Sequence, residues 1–177
     1  TRVLTVTDGT GGNNEVATMS GNISFTADGA TDANINLTTG SLTVQGNVLT
    51  DASGNKVDFG IDSNQVLDLS GTVTASINAF NGDNEGEVKI SGATTYVGAI
   101  GATANRTVAN LNVDDTLTLG DNTSIVVNTL DLDGTIVSAV AGGTTNTLTV
   151  DTTSNFAAAA AINTAGNQVY TGAVTLA

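Results

Sequence analysis

The chemistry-bearing residues of this chain are its acids. Asp114 and Asp115 are adjacent, Asp131 and Asp133 stand two apart, and Asp58 precedes the loop acid Asp62. A carboxylate pair can cleave a glycosidic bond, one group acting as acid and the other as base or nucleophile. Neighbours on a strand point to opposite faces, which would separate Asp114 from Asp115, whereas Asp131 and Asp133 would share a face. A sugar site also needs aromatic faces, or basic residues for an acidic polymer, and the chain has few of either. Outward acids on strands make a solvated face. His and Cys are both absent, so Ser–His and Cys–His nucleophilic sites are excluded, and so are thiolate metal sites. No catalytic residue is assigned, and the chain is not expected to be an enzyme.

Calcium is the alternative chemistry. The stretch NGDNEGE places oxygen ligands at Asn81, Asp83 and Glu85, followed by Gly86, like the first half of an EF-hand loop. The twelfth position falls on Gly92, where a bidentate Glu belongs. The stretch therefore reads as an Asn/Gly-rich turn. AGGTTNTLTV, from Ala141 to Val150, lacks the Asp of the calcium nonapeptide. No metal and no cofactor is expected. Asn-x-Ser/Thr triplets begin at Asn22, Asn36, Asn105 and Asn122, and in so Asn- and Thr-rich a chain most arise by chance.

What must position these residues is a run of short strands. The chain has 177 residues, 21 of them Gly, no Pro and no Trp, and its apolar content is mainly Val, Ile, Leu and Ala. That composition describes strands joined by tight turns. The formal net charge is -13, and the basic residues Arg2, Lys56, Lys89 and Arg106 are scattered. Neither nucleic acid nor an anionic membrane finds a basic patch here. No apolar run approaches the roughly 20 residues of a spanning helix, so no membrane insertion is expected. The sequence opens directly on TRVLTVTDG, which reads as a mature product or an excised segment.

Alternation marks the strands. Leu4 and Val6 share a face before a turn at Asp8-Gly9. Ile23 and Phe25 do so before Asp28-Gly29, and Ile35 and Leu37 turn at Gly40 into Leu42 and Val44. Val57 with Phe59, Leu67 with Leu69, and Leu130 with Leu132 repeat the pattern, and one parity runs through Leu111, Val113, Leu117 and Leu119. Strand centres near Val3, Ile23, Leu42, Val66, Val88, Val108, Leu130, Leu148 and Val169 recur at roughly 20 residues, a solenoid period. The small aliphatic residues suit a narrow stacked interior, and no large aromatic offers to anchor a two-sheet core. Asn81-Gly82 is the clearest two-residue hairpin signal, and such signals are few. The expected fold is an all-β parallel β-helix, or β-solenoid, of one unit over residues 1–177, with a β-sandwich as the alternative. Thr152 to Asn163 breaks the pattern, with a potential N-cap at Ser154 and five consecutive Ala. That is helix chemistry, but too short to stand alone, and a loop excursion from the solenoid is the preferred reading.

Two stretches resemble known proteins. NTAGNQVYTGAVTLA, from Asn163 to Ala177, resembles a coil of filamentous-haemagglutinin-like and autotransporter adhesins through Gly166, Gln168, Tyr170, Gly172, Val174 and Leu176. Tyr96 to Asn122 is similar to passenger repeats of rickettsial-type surface autotransporters through Gly98, Ile100, Gly101, Leu111 and Val113. The resemblance covers about a third of the chain. It implies a right-handed parallel β-helix at the bacterial cell surface or outside the cell, with roles in adhesion or extracellular structure and no catalytic residues.

The last strand and the first read as one pattern when joined, VYTGAVTLA then TRVLTVTDG. An uncapped solenoid exposes strand edges and an apolar core at both ends. Leu4 and Val6 are therefore expected to pack near Tyr170, Val174 and Leu176 of an adjoining repeat or of another copy stacked head to tail. The expected function is a structural or adhesive rod that makes a fibre, stalk or coat. A module that binds a host receptor or glycan through a patch around Phe80 to Val88, or through the Ala-rich excursion, is the alternative. A carbohydrate-active enzyme comes third.

Overall fold

The computed structural model describes residues 2–6, 16–24, 32–51, 53–139 and 146–177. The turns expected at Asp8-Gly9 and Asp28-Gly29, Phe25, and Ala141 to Thr145 lie outside them. Among the described residues there are fifteen strands: β1 (Arg2–Val6), β2 (Val16–Met19), β3 (Ala33–Leu37), β4 (Ser41–Val44), β5 (Val57–Ile61), β6 (Val66–Ala79), β7 (Glu85–Ile100), β8 (Val108–Val113), β9 (Thr116–Leu119), β10 (Ser124–Leu132), β11 (Thr135–Ser138), β12 (Thr147–Phe156), β13 (Ala161–Asn163), β14 (Gln168–Tyr170) and β15 (Ala173–Leu176). Every pairing between them is parallel. The chain is a β-solenoid, and a sandwich of facing antiparallel layers is excluded.

Each coil has three sides. On the first, β1, β3, β5, the end of β6, the end of β7, and the starts of β10 and β12 stack in turn, finishing on β14. On the second, Leu42, Leu67, Val88, Leu111, Leu130, Ser154 and Val174 form one ladder, so a coil consumes 19 to 25 residues. On the third, Ile23 bridges Val48 and Val48 bridges Val73, and the ladder continues through Tyr96, Leu119 and β11 to β13. The long strands β6 and β7 are continuous because they bend round all three sides, with a register shift between Leu69 and Gly71. Thus the repeat is real, but the evenly spaced centres of the sequence pattern fall on different sides: Ile23 lies on the third and Leu42 on the second.

Parallel registry puts like-facing residues on top of one another, so alternation builds a continuous interior. Leu37, Ile61, Leu67, Leu69, Ile77, Ile90, Leu111 and Leu117 are all fully buried there. Two aromatics join them: Phe59, on the face its alternation with Val57 predicts, and Tyr96, which the sequence pattern did not place. Phe59 and Tyr96 are among the largest buried side chains. The Tyr96 hydroxyl lies 2.8 Å from the carbonyl oxygens of both Ala75 and Ala99, and with one proton it donates to one of them at a time. A buried phenol is tolerable because a corner of the coil supplies this acceptor pair.

Corners leave backbone groups without a ladder partner, and side chains of an adjacent coil supply one. Asn22 Oδ1 accepts the Asn47 N–H at 2.9 Å, and Asn47 Oδ1 accepts the Thr72 N–H at 2.8 Å. Asp32, Ser41 and Asp83 likewise accept the amides of Lys56, Val66 and Thr107. Buried Asn146 accepts the Thr123 N–H at 3.0 Å and donates to Ser138 Oγ at 3.2 Å. The abundance of Asn, Thr and Ser is thus partly a hydrogen-bonding requirement of the corners.

The Ala-rich stretch forms no helix. Thr152 to Phe156 belong to β12, with Ser154 buried on the second side instead of capping. Ala157 to Ala160 turn, held by the Ala160 N–H on the Ala157 carbonyl at 2.9 Å, and β13 pairs with β11. Small side chains let the chain turn close against the preceding coil, and that packing overrides helix propensity.

Candidate functional site

Two features stand out on this rod: its end rungs and one groove. At one end, β1 pairs with β3 alone among the described strands, and Leu4 lies in register with Ile35. Leu4 therefore faces the core direction yet is 52% exposed, because no described rung covers it. Val6 lies in register with Leu37. At the other end, β14 and β15 each pair with β12 alone. Tyr170 stacks in register on Val150, Val174 on Ser154 and Leu176 on Phe156. All three overlie buried or part-buried core residues, although Val174 is 46% and Leu176 74% exposed. Tyr170 is half-buried, its ring meeting Phe156 edge to face with centroids 5.9 Å apart, and burial raises its hydroxyl pKa above 10.0.

These five residues do not form one site within the chain. Leu4 and Val6 are at one end of the stack, and Tyr170, Val174 and Leu176 are at the other. The terminal trio is also not on one strand. Thr171 and Gly172 make a corner, so Tyr170 ends the first side and Val174 and Leu176 lie on the second. Gly172 is required there, since a Cβ would lie 1.5 Å from the Thr152 carbonyl oxygen of the coil beneath.

The groove, about 510 Å³ in volume, runs along the outer face of the first side. Its floor is made of outward positions of three consecutive rungs: Asn34, Asp58 and Ser76 in one ladder, and Asn36, Gly60 and Asn78 in the next. Its wall is the corner between the first and second sides, which lengthens in these coils to carry Phe80 and the loop from Thr103 to Arg106. Gly60 makes room for the wall, since a Cβ there would come within 2.8 Å of the Phe80 ring. Arg106 Nη1 donates to the carbonyls of Phe80 and, at 3.2 Å, Ala79, fixing the guanidinium against the loop.

Electrostatically the groove is mixed. Burial pushes the Asp58 carboxyl above 3.8, a hydrogen bond from Ser76 opposes that, the charge of Asp32 adds to it and Lys56 offsets part. The folded state thus favours neutral Asp58. Its stabilising contribution is complete below the unfolded value near 3.8 and is lost as pH rises through the raised folded value. Replacing Asp58 with Asn should therefore raise stability at pH 7 by about a few tenths of a kcal/mol, because water screens so open a group. Urea unfolding at pH 7 and pH 3 checks this: the gain should appear at the higher pH only, and a loss at pH 7 would contradict it.

The calcium-like stretch is engaged otherwise. Glu85 Oε2 accepts the N–H groups of Asn81 and Gly82 at 2.9 and 3.0 Å, and Asp83 Oδ1 accepts the Thr107 N–H at 2.8 Å. The Thr107 contacts draw the Asp83 carboxyl below 3.8. Asn81-Gly82 is not a hairpin turn; it sits in the corner between parallel β6 and β7. Asp114 and Asp115 are corner residues between β8 and β9, not strand neighbours, and Asp114 pairs with Lys89 at 2.8 Å. Asp131 faces outward and accepts from Asn155 at 2.8 Å. Asp62 caps the next corner and is not on a face with Asp58.

Of the groove residues, the sequence reading singled out only Asp58, Phe59, Phe80, Asn36 and Arg106, each for another reason. The signal that could have joined them is the outward parity of Asn34, Asn36, Asp58, Ser76 and Asn78, once their strands are known to be stacked. The fold and these surfaces define a class, the parallel β-solenoids. Beyond that class, comparison with protein-family models, with curated proteins and with solved structures gives no match to this chain.

Proposed function

We propose that this protein is a structural and adhesive component of a bacterial surface or extracellular layer, a stiff acidic β-rod that continues end to end into a fibre, stalk or coat. The observation that carries the reading is the pair of open end rungs. Leu4 at one end and Val174 and Leu176 at the other lie over the core but are 52%, 46% and 74% exposed. Strand edges with apolar residues in register attract a further strand, and a rung of the same kind satisfies both the backbone and the core. That rung would come from an adjoining repeat or from a second copy. A head-to-tail contact of this kind is heterologous and does not close, so it propagates. The resemblance to filamentous-haemagglutinin-like and rickettsial-type adhesins agrees with this, and the glycines that carry it sit where a coil has no room for a side chain. The net charge of -13 would keep rods apart laterally.

Electron microscopy of the purified protein at rising concentration tests the reading, with filaments one coil wide as the expected result. Val174→Asp together with Leu176→Asp should disperse them into short rods while leaving the far-UV circular dichroism unchanged. Discrete particles at high concentration for the unaltered protein would remove the self-assembling form. A second, adhesive reading is favoured by the groove, which joins a polar floor to an aromatic wall on the outer surface.

A further inference from the structure

We propose that the groove beside Phe80 binds a neutral oligosaccharide laid along the rod axis. This deepens the adhesive reading above and does not depend on end-to-end assembly. The floor offers amide and hydroxyl groups that both donate and accept, from Asn34, Asn36, Ser76 and Asn78, together with the acceptor Asp58. Vicinal hydroxyls, each donor and acceptor at once, match such a set. The floor also repeats. Asn34, Asp58 and Ser76 are in register on successive strands, and Asn36, Gly60 and Asn78 are in register beside them. Strands stack at about 4.8 Å, so polar side chains follow one another along the axis at that interval or twice it, which suits a ligand that is itself an extended chain.

Two further observations narrow the class. The Phe80 side chain forms the apolar wall that the CH face of a sugar ring packs against. Asp32 and Asp58 both line the groove, and Arg106, the cation among its lining residues, is already held by the Ala79 and Phe80 carbonyls. With a chain charge of -13, an anionic polymer is repelled and a neutral one is not.

The test is titration calorimetry of the whole chain with hexasaccharides of glucose, mannose, galactose and N-acetylglucosamine in α and β linkages, with hexagalacturonate as the anionic comparator. At least one neutral hexasaccharide should bind saturably with a Kd at or below about 1 mM. Asn36→Ala and Phe80→Ala should each weaken it by about tenfold or more. Thr118→Ala, on the third side, should leave it unchanged. Circular dichroism establishes that each variant is folded. If no neutral hexasaccharide binds, if hexagalacturonate binds equally well, or if the groove variants bind as the unaltered chain does, the proposal is overturned. Microscopy of the same variants reports on the rod separately, so loss of sugar binding with intact filaments rejects the groove alone.

Discussion

Tyr96→Ala should lower the stability of the rod by about 3–5 kcal/mol, the range for removing a buried aromatic ring. Tyr96 is fully buried in the third side of a central coil. Its main chain and its side chain both tie coils together. The Tyr96 carbonyl accepts the Gly120 N–H at 2.7 Å and lies 3.1 Å from Thr123 Oγ1, while the hydroxyl reaches the Ala75 and Ala99 carbonyls. Truncation leaves a cavity where each coil touches only its neighbours, so the loss should divide the stack into separately melting halves. Tyr96→Phe keeps the ring and removes one hydrogen bond, at a cost of about 1 kcal/mol. Urea unfolding and hydrogen exchange measure both, and a Tyr96→Ala chain within about 1 kcal/mol of the unaltered one would show that the ring is not in the core.

The same residue sets an alkaline limit. Burial, and to a lesser degree the charge of Asp58, raises the Tyr96 pKa well above 10.0. The neutral hydroxyl is therefore favoured by folding. Its contribution is fully present below the unfolded value near 10 and is lost as pH rises through that value toward the folded one. Alkaline titration followed by circular dichroism should show cooperative unfolding that moves to higher pH in Tyr96→Phe. Half-buried Tyr170, at the end of the stack, should contribute less.

Gly98→Ala should be nearly as damaging, at about 3 kcal/mol or more. Gly98 has φ +140, which L side chains rarely adopt, and a Cβ there would lie 2.0 Å from the Ala75 carbonyl oxygen. The obstacle is backbone of the coil beneath, which cannot swing aside. Gly98 is the corner at which β7 passes from the third side to the first, bringing Ile100 into the core ladder. Thermal unfolding decides the matter, and a shift within a degree or two would mean that the corner relaxes freely.

Much of the fold is legible in the residues. Ile35 with Leu37, Leu42 with Val44, Val57 with Phe59, Leu67 with Leu69, and Leu130 with Leu132 are buried pairs, as their alternation predicts. Leu111, Val113, Leu117 and Leu119 are all buried too, although a corner at Asp114-Asp115 divides them between two strands. The Ala run, expected to be a loop excursion, is instead strand, turn and strand within the stack, because packing on the preceding coil outweighs both local helix propensity and departure from the solenoid. Tyr96 gave no sign of depth, because a lone aromatic in a stretch of Thr, Val and Gly does not announce which coil encloses it. The groove was not legible as a site, since its residues are brought together only by stacking.

Side-chain parity, the small aliphatic repertoire and a period near 20 residues sufficed by themselves for an all-β stack of coils, because alternation and turn chemistry are properties of neighbouring residues. Tertiary structure alone decided which side of the coil each strand occupies. It also placed Asn34 against Asp58 and Ser76, and put a corner between Tyr170 and Val174. Those relations depend on how many residues each corner consumes, and corner length is fixed by packing against the coil beneath, which no local pattern encodes.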